Sequence, residues 1–418
     1  MSTDPVSTHV KFALVTTGGT IAGLKTDAFH YQSAELKGQA LADRLGLGGS
    51  GVGSDLPSDV GSDSRTDITW EVHSPYAIGS QNLTWNEMFT LRELLIQLNA
   101  DATVHGVLVT HGTDTMEDML FFLSLTLPEL SKPIVFTGSM LTSDSAHSDA
   151  QNNVADSVRL LVAASSIAAR GVDGQRVPMK DVPKLFGLVM NGKFTPASQV
   201  QKRSTSGVDA FENLSVKSAT HSINNLIPYL NQGGSFSGLV SSSQKPIDVK
   251  ITLPNYTAAQ LNEQLQQFTL EVVYCTPNLR EGSIKARIES LSPNGSNPSS
   301  NYSHITLIIA APGNGNIPSR FIPELKALML QGVRVVRASR ISQSQLGKGG
   351  ELTGLEDFTQ PLVLNDSHGA SQGAAQSAAP ESMEPNTAVG SKHYHEAHGL
   401  SLNQVVVMET CRFLMINS

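Results

Sequence analysis

Gly106-Val107-Leu108-Val109-Thr110-His111-Gly112-Thr113-Asp114-Thr115-Met116 is the stretch from which the fold is read. Its first half is a short apolar run of the kind that forms a buried strand, and small polar residues with a glycine close it from Thr110 to Asp114. From Thr115 to Leu130 the pattern becomes helical, with Met116, Met119, Leu120, Leu123 and Leu127 on one side. A strand that passes through a tight polar turn into an amphipathic helix is half of a βαβ unit.

Working outward, the pattern recurs. Phe12-Ala13-Leu14-Val15 is closed by Thr16-Thr17-Gly18-Gly19, and Pro133-Ile134-Val135-Phe136 by Thr137-Gly138-Ser139, with a helix expected from about Gln151 to Ala169. Leu185 to Met190 gives another strand. Such alternation predicts an α/β fold whose mostly parallel sheet is flanked by helices, with ligands bound just past the strand ends. The regularity breaks where Gly233-Gly234, Ser241 to Ser243 and prolines at 228, 246 and 254 crowd together. It resumes with strands at Leu270–Tyr274, Ile305–Ala310 and Val333–Arg337 and a helix at Pro323–Gln331. Two domains are therefore expected: a larger N-terminal one over 10–220, an interdomain connection over 221–268, and a smaller C-terminal α/β domain over 269–418. Gly46–Thr66, dense in Gly, Ser and Asp, and 367–390, dense in Ser, Ala, Gly, Gln and Pro, read as surface insertions, and Ser401–Leu414 reads as a last helix or strand.

Composition narrows the function. The 418 residues include 39% hydrophobic ones, enough for a sizeable core. With 37 acidic against 29 basic residues the net charge is −8, so the electrostatic surplus of a nucleic-acid binder is missing and no nucleic-acid partner is expected. No run approaches the roughly 20 apolar residues of a membrane span, and no membrane partner is expected. Met1 to His9 lacks the basic and apolar regions of a signal peptide, and the only cysteines are Cys275 and Cys411; a cytoplasmic protein is expected.

Three strand ends carry the candidate chemistry. Thr20 is a hydroxyl on the small-residue turn Thr17-Gly18-Gly19-Thr20, which lacks the lysine of a P-loop and the spacing of a dinucleotide fingerprint. Thr113 and Asp114 put a hydroxyl beside a carboxylate, and Ser80-Gln81 adds a hydroxyl and an amide. Such groups suit a small zwitterion, the acid taking its ammonium and the hydroxyls and amides its carboxylate. His393, His395 and His398 follow a low-complexity tract and lack a fourth ligand, so no metal is expected, nor is any cofactor.

The stretches Leu14-Val15-Thr16-Thr17-Gly18-Gly19-Thr20-Ile21-Ala22 and Gly106 to Met116, with Ala77-Ile78-Gly79-Ser80-Gln81 between them, resemble the bacterial-type L-asparaginases and the related glutaminase-asparaginases. Ala310 to Asn316 and Ala338-Ser339-Arg340 look like that family's second domain, so the likeness runs from about Val10 to Glu351. The resemblance implies that Thr20 is the nucleophile, with Tyr31 over it on a flexible lid. It makes Thr113, Lys202 and Asp114 a second hydroxyl, amine and carboxylate group, and gives Ser80, Gln81, Thr113 and Asp114 to the substrate. Asn316 and Glu351 would come from a neighbouring subunit, which makes the protein a homo-oligomer, a dimer or tetramer.

A threonine hydroxyl is barely ionised at neutral pH and needs a base or relay to attack an amide carbon. An amine serves as base only when neutral, a form that burial favours and a neighbouring carboxylate opposes. The expected activity is hydrolysis of L-asparagine to aspartate and ammonia through an acyl-enzyme. The rival readings are a glutaminase-asparaginase, another ammonia-liberating relative, or a non-catalytic amino-acid-binding homologue. By itself Lys202 would be a solvated lysine and His111 a structural hydrogen-bonding group, and His111 is left outside the catalytic set.

Overall fold

A computed structural model describes residues 8–27, 30–48, 66–170, 185–213, 221–231, 251–291, 302–313, 315–340, 394–396 and 400–416. The chain divides into two compact units, 1–262 and 263–418.

In the first unit β1 (Thr8–Thr16) is followed by a small hairpin of β2 (Leu24–Lys25) and β3 (Tyr31–Gln32), helix α1 (Gly38–Arg44) and β4 (Thr66–His73). Helix α2 (Trp85–Ala100), β5 (Gly106–Thr110), α3 (Met116–Thr126), β6 (Ile134–Thr137) and α4 (Ala150–Arg170) come next. The unit continues with β7 (Phe186–Met190), β8 (Lys193–Pro196), β9 (Val200–Lys202), β10 (Phe211–Asn213), β11 (His221–Ser222) and α5 (Ile223–Asn231). Seven strands form one sheet in the order β11-β8-β7-β6-β5-β1-β4, parallel from β4 to β7 and antiparallel at β8 and β11.

Why the strands read as unbroken apolar runs is now physical: the sheet is buried on both faces. Leu14, Leu108 and Val135 share a core with Leu41 of α1, Val158 of α4 and Leu226 of α5, while the alternating residues Val15, Val109 and Phe136 are equally buried. Helices α2 and α3 pack on each other through Trp85, Phe89 and Phe122, whose rings meet at 5.7–5.8 Å. The chain passes from β1 to β4 on one side and then to β5 on the other. This reversal opens the crevice where α/β sheets bind ligands, beyond the carboxyl ends of β1 and β5.

Two boundaries differ from the sequence expectation. Helix α3 ends at Thr126 rather than Leu130, because Pro128 follows Leu127 and the residue before a proline avoids the helical region; Leu127 is extended at φ −69, ψ 142. The interdomain connection expected over 221–268 does not begin at 221. His221–Ser222 adds a strand to the large sheet, and Ile223, Leu226 and Leu230 of α5 enter its core, so these residues belong to the first unit. Of the two expected insertions, 49–65 and all of 367–390 lie outside the described residues.

The second unit holds a four-stranded parallel sheet in the order β12 (Thr269–Tyr274), β13 (Ile305–Ala311), β14 (Arg334–Ser339) and β15 (Tyr394–Glu396). Helices Ser283–Ser290 and Ile322–Leu330 close its core through Ile284, Ile288, Leu325 and Leu328. The last segment is a helix, Leu402–Ile416, opened by a capping box in which Gln404 N–H donates to Ser401 Oγ (3.3 Å) and Ser401 N–H to Gln404 Oε1 (3.1 Å). Arg334 and Glu409 tie that helix to β14 through a buried two-pronged ion pair at 2.6 and 3.1 Å. Cys275 and Cys411 are buried. Among the described residues no helix is long and apolar enough to cross a membrane.

Candidate active site

Backbone approach builds the site before any side chain contributes. Beyond β1, Thr17 donates its N–H (3.1 Å) and its hydroxyl (2.9 Å) to Thr110 O, which clips the first turn to the end of β5. Ile78 N–H donates to Thr17 O (3.1 Å) and Gly19 N–H to Ile78 O (2.9 Å), drawing in the segment that carries Ser80. Gly19 adopts φ +80, ψ −172, a region closed to other residues, and a Cβ there would collide with the backbone of Gly112. A Cβ on Gly112 would in turn collide with Ser80. The glycines of the two motifs let three turns touch.

Thr20 opens the short 3-10 turn Thr20–Ala22 and is half-buried. The hairpin pairs Lys25 with Tyr31 and returns the tyrosine to the start of that turn, where its phenol oxygen lies 3.2 Å from Thr20 Oγ1. Tyr31 is 50% exposed, so it lies over Thr20 from the solvent side. The hairpin is anchored where Lys25 N–H donates to Asp144 Oδ2 at 2.9 Å.

Thr113 opens a second 3-10 turn, Thr113–Thr115, that runs into α3. Asp114 N–H donates to Ser80 Oγ (3.2 Å) and the Thr115 hydroxyl to Ser80 O (2.9 Å), so Ser80 is fixed to this turn while Gln81 stays exposed. Lys202, at the end of β9, sends Nζ to Thr113 Oγ1 at 2.9 Å and Asp114 Oδ1 at 2.7 Å. The lysine side chain is 15% exposed and the aspartate 59%, which makes a chain of hydroxyl, amine and carboxylate leading outward from a buried end. Along such a chain a proton can leave a hydroxyl while the resulting charge is held by hydrogen bonds.

His111 is fully buried, and burial pushes its imidazole down to about 4. It is neutral at pH 7, and Nδ1–H donates to Gly112 O at 2.8 Å, a bond that holds the turn before Thr113. Asp118, in the first turn of α3, is pushed up to about 7, first by burial and then by the charge of Glu117. Glu117 itself went unnoticed in the sequence. Its carboxylate accepts the main-chain N–H of Lys202 at 2.6 Å, and an acid in the first turn of the helix behind the motif was the available signal.

The structure thus brings Thr20 to Tyr31 and joins Ser80, Thr113, Asp114 and Lys202, with the two groups linked through Gly19 and Gly112. Asn316 belongs to the second unit, exposed on the turn after β13, with its N–H donating to Pro312 O at 2.9 Å. Glu351 lies outside the described residues. Among the described residues no group of three or more His, Cys, Asp or Glu side chains is arranged to hold a metal ion.

The family model "Asparaginase, N-terminal" matches residues 11–232. An L-asparaginase from Bacillus licheniformis is 32% identical over 148 residues, 35% of this chain and 40% of that protein. A glutaminase-asparaginase from Acinetobacter glutaminasificans is 26% identical over 347 residues, 81% of this chain and 86% of its own length. The crystal structure of a probable cytoplasmic L-asparaginase from Campylobacter jejuni superposes with a TM-score of 0.52 at 21% identity, covering 81% of this chain and 86% of that one, a likeness of fold.

Proposed function

This chain belongs to the asparaginase family, and on that premise we propose that it is an amidohydrolase releasing ammonia from L-asparagine, with glutamine as a weaker substrate. The observation that carries the reading is the pairing of two threonines with separate proton partners, Thr20 with Tyr31 at 3.2 Å and Thr113 with Lys202 at 2.9 Å, on turns packed against each other.

Thr20 Oγ1 attacks the side-chain amide carbon and its proton passes to the phenol oxygen of Tyr31, which relays it toward the leaving nitrogen. Collapse of the tetrahedral intermediate expels ammonia and leaves an ester on Thr20. Water gives a proton to the Thr113, Lys202 and Asp114 relay, whose amine is neutral at that step, as its oxygen adds to that ester; the second collapse breaks the ester bond, and the same proton is returned to the leaving Thr20 oxygen, freeing aspartate and restoring the hydroxyl. Ser80 and Gln81 suit the α-carboxylate, and the exposed Asp114 carboxylate suits the α-ammonium. Asn316 and Glu351 of a neighbouring copy complete the pocket, so activity belongs to an oligomer. A cytoplasmic setting is part of the proposal; two buried cysteines, Cys275 and Cys411, are compatible with a reducing compartment.

Ammonia release by the purified protein, measured side by side with L-asparagine and L-glutamine, tests this reading. Turnover of asparagine above glutamine is expected. Saturable binding of either amide with no ammonia would instead describe an amino-acid-binding homologue.

A further inference from the structure

Lys202 is held to α3 by its main chain as well as by its side chain. Arg203 N–H donates to Ala210 O at 2.8 Å, which marks that facing pair as hydrogen-bonded. Alternation along an antiparallel ladder then makes Lys202 and Phe211, the next facing pair, a non-hydrogen-bonded one. The N–H of Lys202 therefore points away from β10, out of a sheet that has two strands among the described residues. An amide on such an edge needs an acceptor from elsewhere, and it finds Glu117 Oε2 at 2.6 Å. Glu117 lies in the first turn of α3, the helix into which the turn carrying Thr113 and Asp114 runs directly. One rigid element thus grips Lys202 at two points, the main-chain N–H through Glu117 and Nζ through Thr113 and Asp114.

We propose that Glu117 is a positioning residue for the hydrolytic relay, fixing the strand end from which Lys202 Nζ reaches Thr113 and Asp114. The inference rests on the proposed role of Lys202. Ordering a long, flexible lysine costs rotamer entropy, and a fixed Cα removes the part of that freedom that would swing Nζ off a hydroxyl. The neighbouring Asp118 is pushed up to about 7, first by burial and second by the charge on Glu117.

The test is a kinetic cycle on the full-length protein with L-asparagine, using Glu117→Gln, Glu117→Ala, Lys202→Ala and the double change Glu117→Ala with Lys202→Ala. Glu117→Gln keeps an acceptor of the same reach and should stay within about 3-fold of wild-type kcat, whereas Glu117→Ala should lower kcat about 10- to 100-fold with KM little changed. On the Lys202→Ala background the same Glu117→Ala change should cost nothing further. Wild-type kcat in Glu117→Ala, or an equal loss with and without Lys202, overturns the proposal. Should Glu117→Ala fail to fold, Glu117→Asp carries the test. It keeps the charge but withdraws it by one methylene, so it should lower kcat only while Lys202 is present; wild-type kcat in Glu117→Asp overturns the proposal. Wild-type turnover in Lys202→Ala would remove the relay and this inference together. An impaired Lys202→Ala beside an unimpaired Glu117→Ala removes the inference alone.

Discussion

The phenol oxygen of Tyr31 lies 3.2 Å from Thr20 Oγ1, although the tyrosine comes from a two-residue strand and is 50% exposed. A side chain held so lightly suits the proposed role of a cover that admits substrate and then takes the Thr20 proton.

Removing only that oxygen isolates its role. Tyr31→Phe keeps the ring, and proton transfer by a positioned group is worth about 10²- to 10⁴-fold. Steady-state kinetics should show kcat for asparagine lowered by at least about 10²-fold with a small change in KM. An unchanged kcat would leave Tyr31 as a cover with no part in proton transfer.

In the proposed relay Lys202, whose Nζ bonds to Thr113 and Asp114, acts with them as one unit rather than as three contributions. Thr113→Val and Lys202→Ala should each cost about 10²- to 10⁴-fold in kcat, and the double change little more than the worse single one. Strictly multiplicative losses would mean that the two act separately.

Gly19 is the backbone hinge on which the two motifs meet. Gly19→Ala forces a Cβ into the Gly112 backbone at φ +80, and urea denaturation should find the protein destabilised by more than about 1–3 kcal/mol, with activity lost alongside. Gly207 has φ +84 but open space around it, so Gly207→Ala meets only the left-handed strain and should cost about 1–2 kcal/mol. Equal costs at the two positions would contradict the close approach.

Asp118 makes stability depend on pH in an unusual direction. Its carboxyl holds a proton to about 7 in the folded protein, while an unfolded aspartate releases it near 3.9. Between those values the folded state binds more protons, so this contribution is present at low pH and is lost as pH rises through about 7. Asp118→Asn removes the ionisation, and its stabilising effect over wild type should grow from pH 4 to pH 8 by on the order of 3 kcal/mol. His111 acts oppositely: its neutral burial stabilises above about 6.5 and is lost as pH falls toward about 4. Denaturation midpoints across this range check both signs.

How much of this was legible in the sequence follows from what each signal measures. Phe12 to Val15 and Val107 to Val109 could be read as strands because burial on both faces leaves no polar positions to confuse the pattern. At the sheet edge, Thr66–His73 mixes Thr, Asp, Glu and His with its apolar residues, so no unbroken apolar run marks it as a strand. Helix α2 was also missed, although Thr84 and Glu87 form the capping box that announces it. Helix α5 was hidden by Pro228 inside it, which composition reads as a break. In the candidate site, the strand-end positions of Thr20 and Thr113 followed from local pattern. The partners did not: Lys202 and Thr113 are 89 residues apart, and only resemblance to a family pointed from one to the other. Glu117 reaches across 85 residues to a main-chain N–H, a contact that leaves no trace in composition or periodicity.

The central claim is that Thr20 is the group that breaks the amide bond, and Thr20→Val tests it most directly, because the substitution keeps the branched shape and deletes the hydroxyl. Ammonia release from L-asparagine and asparagine binding should be measured on the same folded preparation. The account predicts turnover lost by several orders of magnitude with binding retained. Wild-type turnover in Thr20→Val would contradict it.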